Sequence, residues 1–206
     1  MRYIIVGNSP YKTFNKIYQY QDGDYLIGLD VGSLEIINRG FKLNESWGDF
    51  DQLNSYDEIK EHTTCFNLFP EKKNETDLEL ILQKLNNQNI CDEIYIYDIT
   101  GGRLDHELVN IMLLKKYSNL KITIIDDYNE IKYINQPGLY DINRTKYNYV
   151  GIITLDEAEI SIEVAEYTLP KVTITKNDTY TTSNKFKDDH FIFNLYQGEV
   201  ILIKSK

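Results

Sequence analysis

Short, unbroken apolar runs punctuate the first part of the chain. Residues 3–6, 25–29, 94–97 and 122–125 are continuous rather than alternating, the pattern of strands covered on both faces. Stretches with helical spacing lie between them. Leu34 and Ile37 mark one, and Leu78, Leu80, Ile81, Leu82 and Leu85 a second, opened by Thr76 or Asp77 as a cap. Leu108, Val109, Ile111, Met112, Leu113 and Leu114 mark a third, beginning near Asp105. Strand, helix, strand in this order predicts a parallel α/β sheet.

After residue 130 the helical period disappears. Residues 131–134, 149–155, 160–164, 172–175, 191–195 and 200–203 form short runs rich in β-branched and aromatic side chains. Several alternate, as in Glu159-Ile160-Ser161-Ile162-Glu163-Val164. Gln136-Pro137-Gly138, Lys176-Asn177-Asp178 and Gln197-Gly198 separate them as turns. The reading is α/β overall: a parallel-sheet α/β domain over residues 1–130, then an all-β sandwich domain over 131–206. The change of character falls around 126–136, without a long linker.

Composition narrows the class. The 206 residues are 42% hydrophobic and 26% charged, and no stretch approaches the ~18–20 apolar residues of a membrane span. Residues 1–7 read as a first strand rather than a signal peptide. A net charge of −10 disfavours nucleic acid and anionic membranes as partners. It still permits a nucleotide whose phosphates are screened by Mg²⁺. Cys65 and Cys91 form no C-x-x-C pair, and His62, His106 and His190 are scattered. The reading is two reduced thiols in a cytoplasmic protein, with no zinc site and no disulfide framework.

Four segments at strand ends carry chemistry. Gly28-Leu29-Asp30-Val31-Gly32 follows the second apolar run, in the position where open α/β sheets hold ligands. In Gly48-Asp49-Phe50-Asp51, an extended backbone would point Asp49 and Asp51 the same way, and paired carboxylates want a cation between them. Asp77 stands at a predicted helix start with Lys73 just before it. Thr100-Gly101-Gly102-Arg103 lies between a strand and a helix, offering backbone N–H groups and a guanidinium to phosphate. Each segment alone is equally a polar turn or a helix cap. Together they point to phosphoryl or pyrophosphoryl transfer from a nucleotide.

The same segments carry a family resemblance. Asp30-Val31-Gly32-Ser33 through Trp47-Gly48-Asp49-Phe50-Asp51 resembles the first signature of the thiamine pyrophosphokinases. Lys73-Asn74-Glu75-Thr76-Asp77-Leu78-Glu79-Leu80 resembles the second, and Thr100-Gly101-Gly102-Arg103-Leu104-Asp105-His106 with Asn110-Ile111 the third. Tyr167-Thr168-Leu169-Pro170 up to Ser183-Asn184-Lys185-Phe186 is similar to the closing motif. The resemblance spans nearly the whole chain. It implies a catalytic α/β domain and a β-sandwich domain in a homodimer, with thiamine held between the former of one subunit and the latter of the other. It implies ATP as co-substrate, Mg²⁺ as cofactor, and transfer of pyrophosphate to the thiamine hydroxyl. By similarity Asp49, Asp51 and Asp77 are catalytic and hold Mg²⁺. Lys73, Thr76, Gly101, Gly102 and Arg103 meet the phosphates, and Asp30 and Asp105 shape the nucleotide site. Ser183, Asn184 and Tyr167 meet thiamine.

The chain departs from the family pattern at several places. Asn74 replaces an aspartate, Gln52 a serine and Leu43-Asn44 a proline-aspartate, while Asn177 and Thr181 replace glycines. Two other readings stay open on the residues alone: a binder that has lost catalysis, and a Mg²⁺-dependent phosphohydrolase.

Overall fold

The computed structural model describes residues 1–70 and 72–206 and divides into two compact units, Met1–Asp127 and Tyr128–Lys206. In the first, the elements run β1 (Arg2–Val6), α1 (Thr13–Ile17), β2 (Asp24–Leu29), α2 (Gly32–Asn38), β3 (Leu43–Gly48) and α3 (Asp57–His62). They continue as β4 (Thr63–Leu68), α4 (Asp77–Asn87), β5 (Glu93–Tyr97), α5 (Leu104–Lys116) and β6 (Lys121–Ile125). The six strands pair in parallel in the order β6-β5-β1-β2-β3-β4. The chain therefore runs outward from β1 to β4, then returns to lay β5 on the other side of β1.

Both faces of this sheet are covered, which is why its strands read as unbroken apolar runs. Ile4 pairs with Leu26, and both join Phe14 of α1, Ile36 of α2 and Ile59 of α3 in one core. Ile5 and Ile27 have the opposite parity and are equally buried, as are Leu78, Ile81, Leu82 and Leu85 of α4.

Strands β3 and β4 carry no such run. β3 holds Glu45 in its middle, 3% exposed. The carboxylate accepts hydrogen bonds from Lys84 Nζ at 2.5 and 2.6 Å, Tyr25 Oη at 2.7 Å and Trp47 Nε1 at 2.8 Å. Burial by itself raises the Glu45 carboxyl, but these donors and the lysine charge hold it below the usual carboxylate range. β4 is an edge strand with much of its length exposed. α1 and α3 have five and six residues, too few for a helical period to register.

The second unit contains β7 (Asn129–Ile134), β8 (Gly138–Asn143), β9 (Tyr149–Ile153), β10 (Glu157–Val164), β11 (Leu169–Thr175), β12 (Asn184–Lys185), β13 (His190–Gly198) and β14 (Val200–Ser205). All pair antiparallel, in the orders β12-β9-β14-β7 and β11-β10-β13-β8. Inward residues of both sets, among them Val150, Ile152, Leu202, Ile160, Phe191 and Phe193, share one core. β8 starts at the glycine read as the end of a turn. Thr181, which stands in place of a glycine, is 3% exposed and donates its hydroxyl to Ile152 O at 2.6 Å. No helix of the described residues is long and apolar enough to cross a membrane.

Candidate active site

The return of β5 to β1 makes a switch point, where the connections on either side lead in opposite directions and leave a crevice beyond the strand ends. The first unit has a cavity of about 720 Å³ at that edge, within the range of small-molecule sites. Its wall is built from the segments after β1, β2, β3 and β5 and from the start of α4.

Asp30, the residue after β2, adopts a left-handed conformation with φ +46°. Its Oδ1 accepts from Phe50 N–H at 3.1 Å. Burial is the largest cause that pushes its carboxyl up to about 6; the charges of Asp77 and Asp49 add to this, while Phe50 N–H and Lys73 oppose it. Gly48 makes the arrangement possible, because a Cβ there would lie 1.8 Å from Asp30 Oδ1.

The Asp49–Asp51 segment is not extended, contrary to expectation. Phe50 takes φ +56° so that its ring can stack on Phe66 at 4.8 Å, and Asp51 N–H folds back onto Asp49 Oδ1 at 3.2 Å. Asp49 therefore lines the cavity while Asp51 is exposed and lies outside the lining.

Thr76 caps α4 by accepting from Glu79 N–H at 3.2 Å, which sets Asp77 in the first turn. Lys73 Nζ stands 2.8 Å from Asp77 Oδ1, an ion pair four residues apart with both side chains mostly covered. That approach lacks hydrogen-bond alignment, and Asp77 Oδ1 is a buried oxygen without a hydrogen-bond donor.

Beyond β5, Thr100, Gly102 and Arg103 line the cavity, and Gly101 and Asp105 stand outside the lining. Gly101 has φ +85°, a conformation suited to glycine. Gly102 N–H donates to Glu107 Oε1 at 2.7 Å, so a carboxylate already occupies the anion position expected for phosphate. Arg103 is exposed and pairs with Asp105 at 2.6 Å, and this hydrogen bond draws the Asp105 carboxyl down to about 2.

Sequence reasoning did not single out Asn8, Ser9, Pro10 and Asp98, which also line the cavity. The available signal was Gly7-Asn8-Ser9-Pro10 directly after the first strand. Asn8 Nδ2 donates to Gln52 Oε1 at 3.1 Å, linking the segments after β1 and β3. Tyr167, Ser183 and Asn184 belong to the second unit. Tyr167 is exposed, and Ser183 has φ +57°. The Asn184 amide is committed to the Tyr167 backbone, accepting from its N–H at 3.0 Å and donating to its carbonyl at 2.7 Å.

Carboxylates dominate the lining: Asp30, Asp49, Glu75 and Asp77 share it with Lys73 and Arg103, while the buried Asp98 carboxylate turns away to Thr13 and Phe14 N–H. Among the described residues no three metal-ligating side chains converge. Mg²⁺ ordinarily needs only one or two carboxylates, completing its shell from phosphate oxygens and water. Asp49 and Asp77, with an unsatisfied buried oxygen on the latter, fit that role.

Known proteins decide the matter. The family model described as thiamin pyrophosphokinase, catalytic domain, matches residues 18–125. The chain belongs to the thiamin pyrophosphokinase family. It is 33% identical to the thiamine pyrophosphokinase of Bacillus subtilis (strain 168) over 98% of this chain and 97% of the relative. The crystal structure of thiamine pyrophosphokinase from B. subtilis superposes with a TM-score of 0.88 at 29% identity, covering 100% of this chain and 99% of the other. That of a thiamin pyrophosphokinase family protein from Enterococcus faecalis gives 0.86 at 26%, with coverage of 100% and 99%. The fold is thus the mixed α/β fold of these pyrophosphokinases. The chain is a thiamine diphosphokinase, transferring the pyrophosphoryl group of ATP to the hydroxyl of thiamine to give thiamine diphosphate and AMP.

Proposed function

We propose that the cavity beyond β1, β2, β3 and β5 is where ATP is held for this transfer. The observation that carries the reading is the composition of its wall. Acidic side chains from two strand ends, Asp30 and Asp49, and from the start of α4 share the wall with Lys73 and Arg103. Such a wall repels a bare polyphosphate and accepts one carrying Mg²⁺.

Asp49 and Asp77 are the carboxylates that would hold Mg²⁺, with Asp51 joining from the rim of the turn. The ion supplies charge neutralisation at the phosphate oxygens when bound. Lys73, released from Asp77, and Arg103, released from Asp105, take up charge on the phosphates. Gly102 N–H does the same once Glu107 yields its place, beside Gly101 and the Thr76 cap. Asp30 and Asp105 shape the nucleotide site. The thiamine hydroxyl attacks the β-phosphorus, the bond from that phosphorus to the oxygen bridging the α-phosphorus breaks, and AMP leaves with that oxygen. The hydroxyl proton is lost as the new bond forms. Positioning and charge neutralisation supply most of the acceleration.

Tyr167 and Ser183, on a β-sandwich domain, meet thiamine. Tyr167 offers a ring to the cationic vitamin, and Asn184 holds its backbone in place. The protein acts as a homodimer. Support comes from α5, where Leu104, Leu108 and Met112 recur every fourth residue and are 67%, 49% and 55% exposed, an apolar stripe suited to a second copy. The free, exposed Cys65 and Cys91 suit a reducing cytoplasm.

The test is to incubate the purified protein with ATP, Mg²⁺ and thiamine and to follow AMP and thiamine diphosphate by chromatography. Equal yields of both, only with thiamine present, are expected. Phosphate released without thiamine would mean a hydrolase, and saturable binding without turnover a degraded binder. Light scattering on a sizing column tests the dimer.

A further inference from the structure

Asp98 is the first residue past β5, and its environment is unusual for a carboxylate. It is 2% exposed and has φ +58°, a left-handed conformation uncommon among non-glycine residues and best tolerated by aspartate and asparagine. Its Oδ1 accepts from Thr13 N–H at 2.5 Å and its Oδ2 from Phe14 N–H at 3.2 Å. Burial pushes this carboxyl up, and the two amide donors oppose the rise.

The donors belong to the start of α1, at the far end of the segment that leaves β1. Phe14 is fully buried and stacks on Tyr18 at 4.6 Å, so this end of α1 is fixed in the core. The segment between is tied at two more points, one at the end of β5 and one in the segment after it. Gly7 N–H donates to Tyr97 O at 2.9 Å, and the Ser9 hydroxyl donates to Thr100 O. The packing is close: a Cβ on Gly7 would lie 2.5 Å from Asp98 O. Asn8, Ser9 and Pro10, which face the cavity, thus hang between anchors at β1 and at the Asp98 carboxylate.

We propose that Asp98 is a positioning residue for the nucleotide: through Thr13 and Phe14 it sets the Gly7–Lys12 segment as the cavity wall against which ATP is held. This rests on the reading of the cavity as the ATP site. The segment stands at the switch point beside Gly102 and Arg103, the groups assigned to phosphate, so the substrate it serves is the nucleotide.

Two substitutions separate the carboxylate from the backbone it strains. An asparagine keeps the shape and tolerates φ > 0 but turns a donor toward one of the two amides, so D98N removes one acceptor. D98G removes both acceptors while glycine accommodates φ +58° without strain. ATP and thiamine are varied separately at fixed Mg²⁺. The KM for ATP is expected to rise about tenfold in D98N and further in D98G, the scale of one and two lost hydrogen bonds to a charged group. The KM for thiamine and kcat are expected to hold within about twofold. Amide exchange in residues 8–14 is expected to quicken in both variants while that of α4 is unchanged.

An unchanged KM for ATP in an active parent and its variants would overturn the proposal. So would a joint loss of kcat and both KM values tracking a fall in Tm, which would make Asp98 merely structural. A parent that transfers nothing to thiamine would instead sink the ATP-site reading, and the exchange of residues 8–14 would then still report the hold of Asp98 on the segment.

Discussion

Gly48→Ala tests how tightly the strand ends are fitted. The added Cβ would lie 1.8 Å from Asp30 Oδ1 and 2.6 Å from its Cγ, whereas real Cβ atoms essentially never come within 3.0 Å of a neighbour. The Asp30 carboxylate must retreat by more than an ångström. It then loses Phe50 N–H, and Phe50 is itself 2% exposed, so that amide finds no water in exchange. Overpacking costs about 1–3 kcal/mol and an orphaned buried donor about 1–3 kcal/mol more. We expect urea denaturation to show a loss of about 2–6 kcal/mol in unfolding free energy. Turnover should fall on the order of 10²-fold, the effect of an ångström-scale misplacement beside the reacting groups. The decisive assay is a double-mutant cycle with Asp30→Ala. With the carboxylate gone the new methyl meets little, so Gly48→Ala should cost at least about 1 kcal/mol less in that background. Strict additivity would refute the reasoning and leave Gly48 as a glycine of backbone conformation alone.

Asp49→Asn and Asp77→Asn should each lower kcat by several orders of magnitude in the chromatographic assay, with titrated Mg²⁺ restoring little; near-normal turnover in either would remove that carboxylate from the metal assignment. Lys84→Met leaves Glu45 buried with only Tyr25 and Trp47 as donors, and should reduce unfolding free energy by about 2 kcal/mol at neutral pH. The folded Glu45 carboxyl is depressed, so the stability it contributes is complete above the unfolded carboxylate pKa and is lost as pH falls through the folded value. Losing Lys84 raises that folded value, so the gap between variant and parent should narrow on acidification; a gap independent of pH would argue against the ion pair as its source. Thr76→Ala removes the cap on Glu79 N–H and should lower the urea midpoint by the equivalent of about 1 kcal/mol.

What was legible in the sequence follows from how each element is buried. β1, β2, β5 and β6 are covered on both sides and announce themselves as apolar runs. β3 is buried too, but its interior carries Glu45, Ser46 and Trp47, and only the partners Lys84, Tyr25 and Ser33 make that tolerable. Those partners are distant in sequence, so no local pattern reveals the strand. The same limit applied to the site. Asp30, Asp77 and Arg103 could be placed because each follows a strand or opens a helix. The conformation of Asp49 and Asp51 could not, because it is set by where the Phe50 ring finds Phe66. Asp98 and the segment after β1 escaped notice because a Gly-Asn-Ser-Pro turn looks like any other until the strand order brings β5 beside β1.

That strand order has a consequence for how the protein matures. Residue 7 and residue 98 face the same cavity, yet 91 positions of chain separate Ser9 from its partner Thr100. The pairing of β5 with β1 closes the longest loop in this unit's sheet, and long-range closure comes late in folding. On the ribosome this cavity therefore cannot exist until the chain through Arg103 has emerged. With ATP held there as proposed, the nucleotide would bind only the closed state and stabilise it by mass action. A cell rich in nucleotide would thereby hold shut the most distant of the strand pairings that build the cavity.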